Sequence, residues 1–205
     1  EGDEYFSSKL DMTPKFLHYK ADILVISGIS WDHINVYPTF SSYCNIFEEL
    51  LKKTPKKSIV FYCENDNILK EIINKNFSNS QAYSLPEYQI LDGKCFIKNN
   101  DDLLPLSFFG KHNLYNLQAA SLVCQKIGID RTNFLNSIQS FLGAAKRLNL
   151  LGSLNKKNNV YLDFAHSPSK VFSSIQAVKE LYPNRLLISC LELHTFSSLN
   201  LDFIS

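Results

Sequence analysis

Short apolar runs alternate with helically spaced apolar residues in the first part of the chain. The segments Asp22–Ser27 and Ser58–Cys63 are continuous runs rich in branched side chains, the pattern typical of strands that are covered on both faces. The segments Ser41–Lys53 and Asn67–Asn76 repeat their apolar residues at helical spacing. Because strands and helices alternate, the pattern predicts an α/β fold with a parallel sheet.

The pattern changes to shorter runs between Gln81 and Phe108. These runs are interrupted by Asp92-Gly93, a hairpin-turn signal, and by a polar cluster at residues 99–102. We therefore predict a small meander of strands in this region.

Two helices are predicted after the meander. An apolar stripe runs from Lys111 to Gly128, and the glycine is the expected helix stop. Asp130 is suited to cap the next helix, which should run to about Leu142.

A second alternating pattern follows residues 143–149, which look like a hinge. Its predicted order is strand, strand, helix and strand, over Leu150–Leu154, Val160–Phe164, Ser169–Leu181 and Leu186–Leu191. The sequence thus predicts two domains, 1–147 and 148–205, the second being about half of a typical doubly wound domain.

The composition argues against several classes of function. The 205 residues carry a net charge of +1, so no excess of positive charge favours nucleic acid as a partner. The apolar runs are too short to span a bilayer and no basic-then-apolar leader opens the chain, so we expect no membrane association and a cytoplasmic location. The five cysteines stand singly, which favours reduced core residues over disulfides or a zinc site.

Two acidic or histidine-containing segments are candidates for a metal site. The segment Glu1–Glu4 places three carboxylates in four residues, and carboxylate oxygens are ligands that Mg²⁺ prefers. Asp32 and His33 directly follow the first predicted strand, and the carboxyl ends of parallel strands are where α/β proteins bind ligands. A solvated acidic segment and a structural Asp-His pair are the alternative interpretations.

Three further motifs lie in the second half of the chain. Gly110–Asn113 and Asn116 stand at a predicted helix N-terminus, which attracts anions, although simple helix capping would use the same residues. Arg147 lies in the predicted hinge, and Asp163–Pro168 lies at the end of a predicted strand. A surface charge and an ordinary strand-end turn are the alternatives for these two.

Taken together and in this order, the motifs resemble those of the Mur ligases of peptidoglycan synthesis. The five matching patterns are Glu-Gly-Asp-Glu-Tyr, Asp-His, Gly-x-His-Asn-x-x-Asn, the hinge Lys-Arg and Asp-Phe-Ala-His-x-Pro. The resemblance implies part of a central ATP-binding domain, with a parallel sheet and helices, followed by the first part of a Rossmann-like C-terminal domain. Lys15–Tyr19 and Glu192–Ser198 look more like the branch that uses a murein tripeptide than the branch that adds L-alanine.

The resemblance also implies a reaction and a set of site residues. Such ligases use ATP and Mg²⁺ to activate the carboxylate of UDP-N-acetylmuramate as an acyl phosphate, which the amine of an amino acid or peptide then attacks. Glu1 and His33 match the positions that hold Mg²⁺, with Asp3 and Glu4 in support, and Glu1, His33 and Arg147 are expected to be catalytic. The residues that match nucleotide-binding positions are Asn116 for the adenine, His112, Asn113, Arg147 and Asp163. The residues that match positions near the incoming amine are His166, Ser167 and His194.

Departures from the family pattern limit what the chain is expected to do alone. No Gly-rich phosphate loop ending in Gly-Lys-Thr or Gly-Lys-Ser occurs in the sequence, and no UDP-sugar-binding domain precedes Glu1. We therefore expect a fragment of a longer ligase that is inactive by itself. Phe47 stands about where several relatives carry a carbamylated lysine, which the two branches named above also lack, and Ser167 replaces the second of two histidines.

Two other functions remain open from the sequence. One is a remnant or binding module that keeps the fold without catalysis, which the missing phosphate loop favours and the retained site residues disfavour. The other is a folylpolyglutamate synthetase, which shares the architecture, but the Glu-Gly-Asp-Glu opening speaks against it.

Overall fold

The chain folds into two compact units, each of which has its own hydrophobic core. The computed structural model describes residues 2–31, 33–154 and 158–193. The units divide between Ser84 and Leu85. The domain boundary expected after residue 147 lies inside the second unit and stays a prediction.

The first unit is a three-stranded parallel sheet with helical crossovers. Its elements are β1 (Ile23–Ile26), α1 (Phe40–Lys53), β2 (Ile59–Cys63), α2 (Asn67–Asn76) and β3 (Ser80–Tyr83). The strands lie in the order β1-β2-β3, and both neighbouring pairs are parallel. The predicted β-α-β-α order is confirmed. The assignment of residues 81–83 to a meander is wrong. These residues belong to β3, which follows α2 and pairs with β2 in parallel as the third strand of the sheet.

Side-chain caps fix where the two helices of this unit begin. Thr39 and Ser42 cap α1 reciprocally, with Ser42 N donating to Thr39 Oγ1 over 3.1 Å and Thr39 N donating to Ser42 Oγ over 3.3 Å. Asp66 caps α2 through Leu69 N over 2.9 Å. Between sheet and helices lies a core that includes Tyr43, Phe47, Leu51, Val60, Leu69 and Ile73.

The second unit begins with an antiparallel meander and continues into helices. Its elements are β4 (Tyr88–Leu91), β5 (Lys94–Asn99), β6 (Asp102–Leu106), α3 (Lys111–Lys126), α4 (Arg131–Ile138), β7 (Asn149–Leu154), β8 (Asn158–Leu162) and α5 (Pro168–Leu181). The β4–β5 turn uses Asp92 and Gly93 with φ of 49° and 70°, as the hairpin signal predicted.

The helix capped by Asp130 ends earlier than predicted. Instead of running to about Leu142, α4 ends at Ile138. Ser140 N and Phe141 N bond to the carbonyls three residues earlier, at 3.3 and 3.0 Å, so the last turn tightens and stops. Leu142 is 81% exposed, and no apolar contact therefore extends the helix to it.

The strand predicted at Leu186–Leu191 is absent. β7 and β8 form an antiparallel hairpin and α5 follows, as expected, but residues 186–191 have no regular structure. Leu186 and Ile188 are 88% and 84% exposed. Within the described part of the chain no strand pairs with this segment, and an apolar run without a hydrogen-bonded neighbour does not form a strand.

One core joins the meander to the three helices of the second unit. Its buried members are Cys95, Ile97, Leu106, Phe108, Phe109, Leu114, Leu117, Phe134, Leu135, Ala177 and Leu181. Helix α5 thus packs with residues of the predicted central domain. Among the described residues, no helix has the length and apolar character needed to cross a membrane.

Candidate metal and nucleotide sites

Two carboxylates and an imidazole meet in the first unit. One possible ligand atom from each of Asp3, Glu4 and His33 lies within 4.8 Å of the other two. His33 comes from the loop that follows β1, and the acidic pair comes from the start of the chain. Asp3, Glu4 and His33 thus lie close together, and their binding of a metal stays a prediction. Glu1 and Asp32 lie outside the described residues.

The loop that carries His33 is held by its backbone. His33 has a φ of 54°, a left-handed conformation that a non-glycine residue adopts only when its surroundings enforce it. Its carbonyl accepts from Val36 N and Tyr37 N over 2.8 and 2.9 Å. Upstream in the loop, Ile29 N donates to Asp66 Oδ2 over 2.6 Å. The imidazole is therefore presented by an anchored segment.

Tyrosine side chains orient Glu4. Tyr43 Oη donates to Glu4 Oε1 over 2.8 Å, and the same oxygen lies 3.5 Å from His33 Nε2. Tyr37 Oη donates to the Glu4 carbonyl, while the ring of Tyr5 meets that of His33 edge to face at 4.9 Å. Burial, with the nearby carboxylates of Glu4 and Asp3, raises the pKa of Tyr37 to about 12, so Tyr37 stays a proton donor.

Asp3 is paired with a lysine. Lys15 Nζ lies 2.7 Å from Asp3 Oδ2, and Tyr5 N donates to Asp3 Oδ1 over 2.8 Å. Burial opposes ionisation, but the hydrogen bonds from Lys15 and Tyr5 and the Lys15 charge outweigh it and lower the pKa of Asp3. The oxygens of two carboxylates, with one imidazole nitrogen beside them, form a donor set that fits Mg²⁺, which favours oxygen ligands.

Phe47, which stands about where relatives carry a modified lysine, is a core residue. It is 7% exposed, and its ring packs against Phe16 at 5.6 Å and Tyr43 at 5.4 Å between centroids. A position with these apolar neighbours does not suit a charged metal-bridging group.

The second unit contains the predicted nucleotide residues. Gly110 precedes α3 with a φ of 91°, and a Cβ at this position would lie 2.7 Å from Ala177 Cβ of α5. Asn113 Nδ2 donates to the Phe109 carbonyl over 2.8 Å, which is not a helix cap, and among the described residues no side chain caps the first backbone N–H groups of α3. Asn116 lies one turn further along α3 and is exposed, which leaves its amide accessible.

His112 lies within the electrostatic reach of two other predicted residues. Burial lowers its pKa, the positive charge of Arg147 adds to this effect, and the Asp163 carboxylate opposes it. The charges of Arg147 and Asp163 thus act on the imidazole of His112. Because the pKa is depressed, the imidazole of His112 is neutral near pH 7.

The hinge around Arg147 is built from unusual backbone conformations. Lys146 and Leu148 have φ of 59° and 45°, and Arg147 between them is exposed. Phe164 N donates to the Lys146 carbonyl over 2.8 Å, which ties the hinge to the chain after β8. The hinge and the Asp163 segment are therefore adjacent.

The segment after β8 arranges the last group of predicted residues. Asp163 Oδ1 accepts from Ala165 N over 3.2 Å, and Asp163 Oδ2 accepts from Ser174 of α5. His166 Nδ1 donates to the Phe164 carbonyl over 2.9 Å. Ser167 is 3% exposed and precedes α5, so it lies in the interior rather than on an open surface. His194 lies outside the described residues.

Several contacts of the two sites could not be found from sequence patterns. Tyr43 belongs to the apolar stripe of α1, and its spacing does not show that its hydroxyl donates to the Glu4 carboxylate. Asp66 and Ser174 act over 37 and 11 residues of sequence, respectively. Hydrogen bonds of this kind depend on tertiary packing, which residue spacing does not encode.

Comparison with known proteins establishes the family. Residues 6–124 of the 205 match the Mur ligase middle domain. The chain belongs to the Mur ligase family. This Mur ligase chain is 29% identical over 203 residues to UDP-N-acetylmuramate–L-alanine ligase of Caldicellulosiruptor bescii, covering 90% of the chain and 43% of the relative.

Other relatives come from the second branch of the family. UDP-N-acetylmuramate–L-alanyl-γ-D-glutamyl-meso-2,6-diaminoheptandioate ligase of Escherichia coli is 26% identical over 194 residues, covering 87% of the chain and 41% of the relative. The crystal structure of a murein peptide ligase from Psychrobacter arcticus has the same fold, with a TM-score of 0.61, 19% identity, and coverage of 97% of this chain and 45% of the other. The chain spans less than half the length of these relatives.

Proposed function

We propose that this chain is the nucleotide- and metal-handling part of an ATP-dependent amide ligase. Its substrates would be UDP-N-acetylmuramate and an amine, either a murein tripeptide or L-alanine. The observation that carries the proposal is the convergence of Asp3, Glu4 and His33 within 4.8 Å, in a chain that matches the Mur ligase middle domain. The segment Lys15–Tyr19 favours the tripeptide.

In the first unit, Asp3, Glu4 and His33 would hold Mg²⁺, with Glu1 as a further ligand. The metal would supply positive charge that neutralises phosphate and carboxylate oxygens. Tyr43 keeps the Glu4 carboxylate in one orientation, 3.5 Å from the imidazole of His33. Lys15, at 2.7 Å from Asp3, balances the negative charge of the cluster. Preorganised ligands of this kind reduce the rearrangement needed to bind a cation.

In the second unit, Asn116, His112, Asn113, Arg147 and Asp163 would contact the nucleotide. The N-terminus of α3 attracts anions, and the exposed guanidinium of Arg147 adds positive charge nearby. A neutral His112 can accept or donate one hydrogen bond without adding charge. Asp163 offers carboxylate oxygens that suit ribose hydroxyls, while the exposed amide of Asn116 suits the adenine.

The amine side of the reaction is assigned to His166, Ser167 and His194. His166 Nδ1 donates to the Phe164 carbonyl, which fixes the orientation of the ring and leaves Nε2 on the side of the ring away from that bond. Ser167 is buried at the start of α5, so it would support the site from within rather than bind the amine directly.

The proposal is tested in the full-length protein that carries this sequence. ADP release is measured with ATP, Mg²⁺, UDP-N-acetylmuramate and either amine, for wild type, His33→Ala and His18→Ala. His33→Ala should lower turnover at least about 100-fold, because a metal ligand is lost. His18 is an exposed histidine that contacts Ser7 and Asp11 outside the cluster, so His18→Ala should be close to wild type. Unchanged turnover in His33→Ala would refute the metal assignment.

A further inference from the structure

Ser174 connects helix α5 to the carboxylate of Asp163. Its hydroxyl donates to Asp163 Oδ2, while Ala165 N donates to Oδ1 over 3.2 Å. Among the described residues, each carboxylate oxygen therefore has one hydrogen-bond donor. An ionised carboxylate accepts about four hydrogen bonds, so acceptor positions remain for the hydroxyls of a ligand.

The partner of the Ser174 hydroxyl differs from the one that a helical serine ordinarily uses. Serine within a helix commonly bonds to the carbonyl four residues earlier, as Ser173 does with Ser169 over 2.9 Å. Ser174 is the next residue on the same helix, but it donates to a side chain eleven residues away. The bond thus fixes the carboxylate, and it contributes nothing to the helix backbone.

The face of α5 that carries Ser174 is firmly packed. Ala177 and Leu181, three and seven residues further along, share that face and are 3% and 4% exposed. Ala177 lies so close to Gly110 that a Cβ there would approach it to 2.7 Å. The packing of Ala177 against Gly110 therefore fixes the position of α5, and with it Ser174, relative to the start of α3, where His112 lies.

We propose that Ser174 is a positioning residue for nucleotide binding. Its hydroxyl holds the Asp163 carboxylate in one rotamer, so that the remaining lone pairs meet the ribose hydroxyls without prior ordering. The inference rests on the proposed function, which assigns Asp163 to the nucleotide. Without the bond, the carboxylate samples other orientations. Binding of the nucleotide must then order it, and this entropic cost lowers the affinity.

Two isosteric variants separate the hydroxyl from the shape of the side chain. Ser174→Thr keeps the donor and Ser174→Val replaces it with a methyl group, and both are β-branched, so they share any effect on the helix. Binding of unmodified ADP with Mg²⁺ is measured by isothermal titration calorimetry in the full-length protein, so that both ribose hydroxyls stay free. The Val variant should bind up to about tenfold more weakly, because the Asp163 carboxylate must then be ordered on binding, and the Thr variant should bind within about twofold of wild type. Ser173→Ala is the neighbouring control and should not change binding.

Steady-state kinetics and an Asp163 variant complete the test. In the Val variant KM for ATP should rise by the same factor while kcat is retained, and a fall in kcat alone would overturn the positioning role. Equal losses in the Thr and Val variants would also overturn it, because shape would then be the cause. Asp163→Asn separates the two levels of inference. If it weakens ADP binding while the Val variant does not, the role of Ser174 is wrong and the proposed function stands; if it leaves binding unchanged, the nucleotide assignment of Asp163 fails.

Discussion

Asp66 anchors the loop that presents His33, and its replacement by alanine should have a large cost in stability. One carboxylate oxygen caps α2 through Leu69 N at 2.9 Å, and the other accepts from Ile29 N at 2.6 Å. Loss of a helix cap costs about 1 kcal/mol. Loss of a hydrogen bond to a charged acceptor costs about 1.5 to 3 kcal/mol. Asp66→Ala should therefore lower the free energy of unfolding of the first unit by about 2.5 to 4 kcal/mol.

Urea unfolding followed by Trp31 fluorescence measures this loss, because Trp31 is the only tryptophan and lies in the same loop. Thr39→Ala is the matched control, since Thr39 caps α1 locally and the bonds of its cap reach only to Ser42. It should cost about 1 kcal/mol. Equal losses in the two variants would refute the reasoning, because the bond to Ile29 N would then contribute nothing.

Two further predictions concern the second unit. Gly110→Ala should destabilise it by about 2 to 4 kcal/mol and Gly128→Ala by about 1 kcal/mol. Both glycines have similar φ, 91° and 92°, so the conformational cost of alanine is shared, but only at Gly110 would the new Cβ lie 2.7 Å from Ala177 Cβ. Similar losses of unfolding free energy in the two variants, measured by urea unfolding, would contradict the steric argument. Because burial lowers the pKa of His112 below its ordinary 6.5, the unfolded chain takes up a proton at higher pH than the folded chain, so stability should fall as pH drops below about 6.5. His112→Gln should flatten that part of the stability-against-pH curve, and an unchanged slope would contradict the burial.

Hydrophobic periodicity predicted most elements of the fold because each element is defined by local spacing. The strand at Ser58–Cys63 and the helix at Asn67–Asn76 appear within one residue of their expected bounds. The segment Leu186–Leu191 has an equally good strand pattern, but a strand also needs a neighbour, and pairing is not encoded in the run itself. Ser80–Tyr83 shows the converse, since a short polar strand forms where β2 offers a free edge.

Candidate site residues could be named from the sequence, whereas the contacts that hold them in place could not. Resemblance to a family supplied His33, Asp163 and His112, and the structure brings each of them to a cluster. The residues that hold them in place came only from the fold. Tyr43 orients Glu4 from a helix that is otherwise core, and Ser174 reaches Asp163 from α5. Such contacts depend on angles between elements, which spacing along the chain does not determine.

We propose that this chain belongs to a working amide ligase. The most direct measurement is ADP release by the full-length protein with ATP, Mg²⁺ and UDP-N-acetylmuramate, in the presence and absence of the tripeptide L-Ala-γ-D-Glu-meso-diaminopimelate or of L-alanine. We expect ADP formation that depends on one of these amines, with the tripeptide favoured, and none from the 205-residue chain alone. No amine-dependent ADP from the full-length protein would contradict the claim and would favour a non-catalytic protein with the same fold.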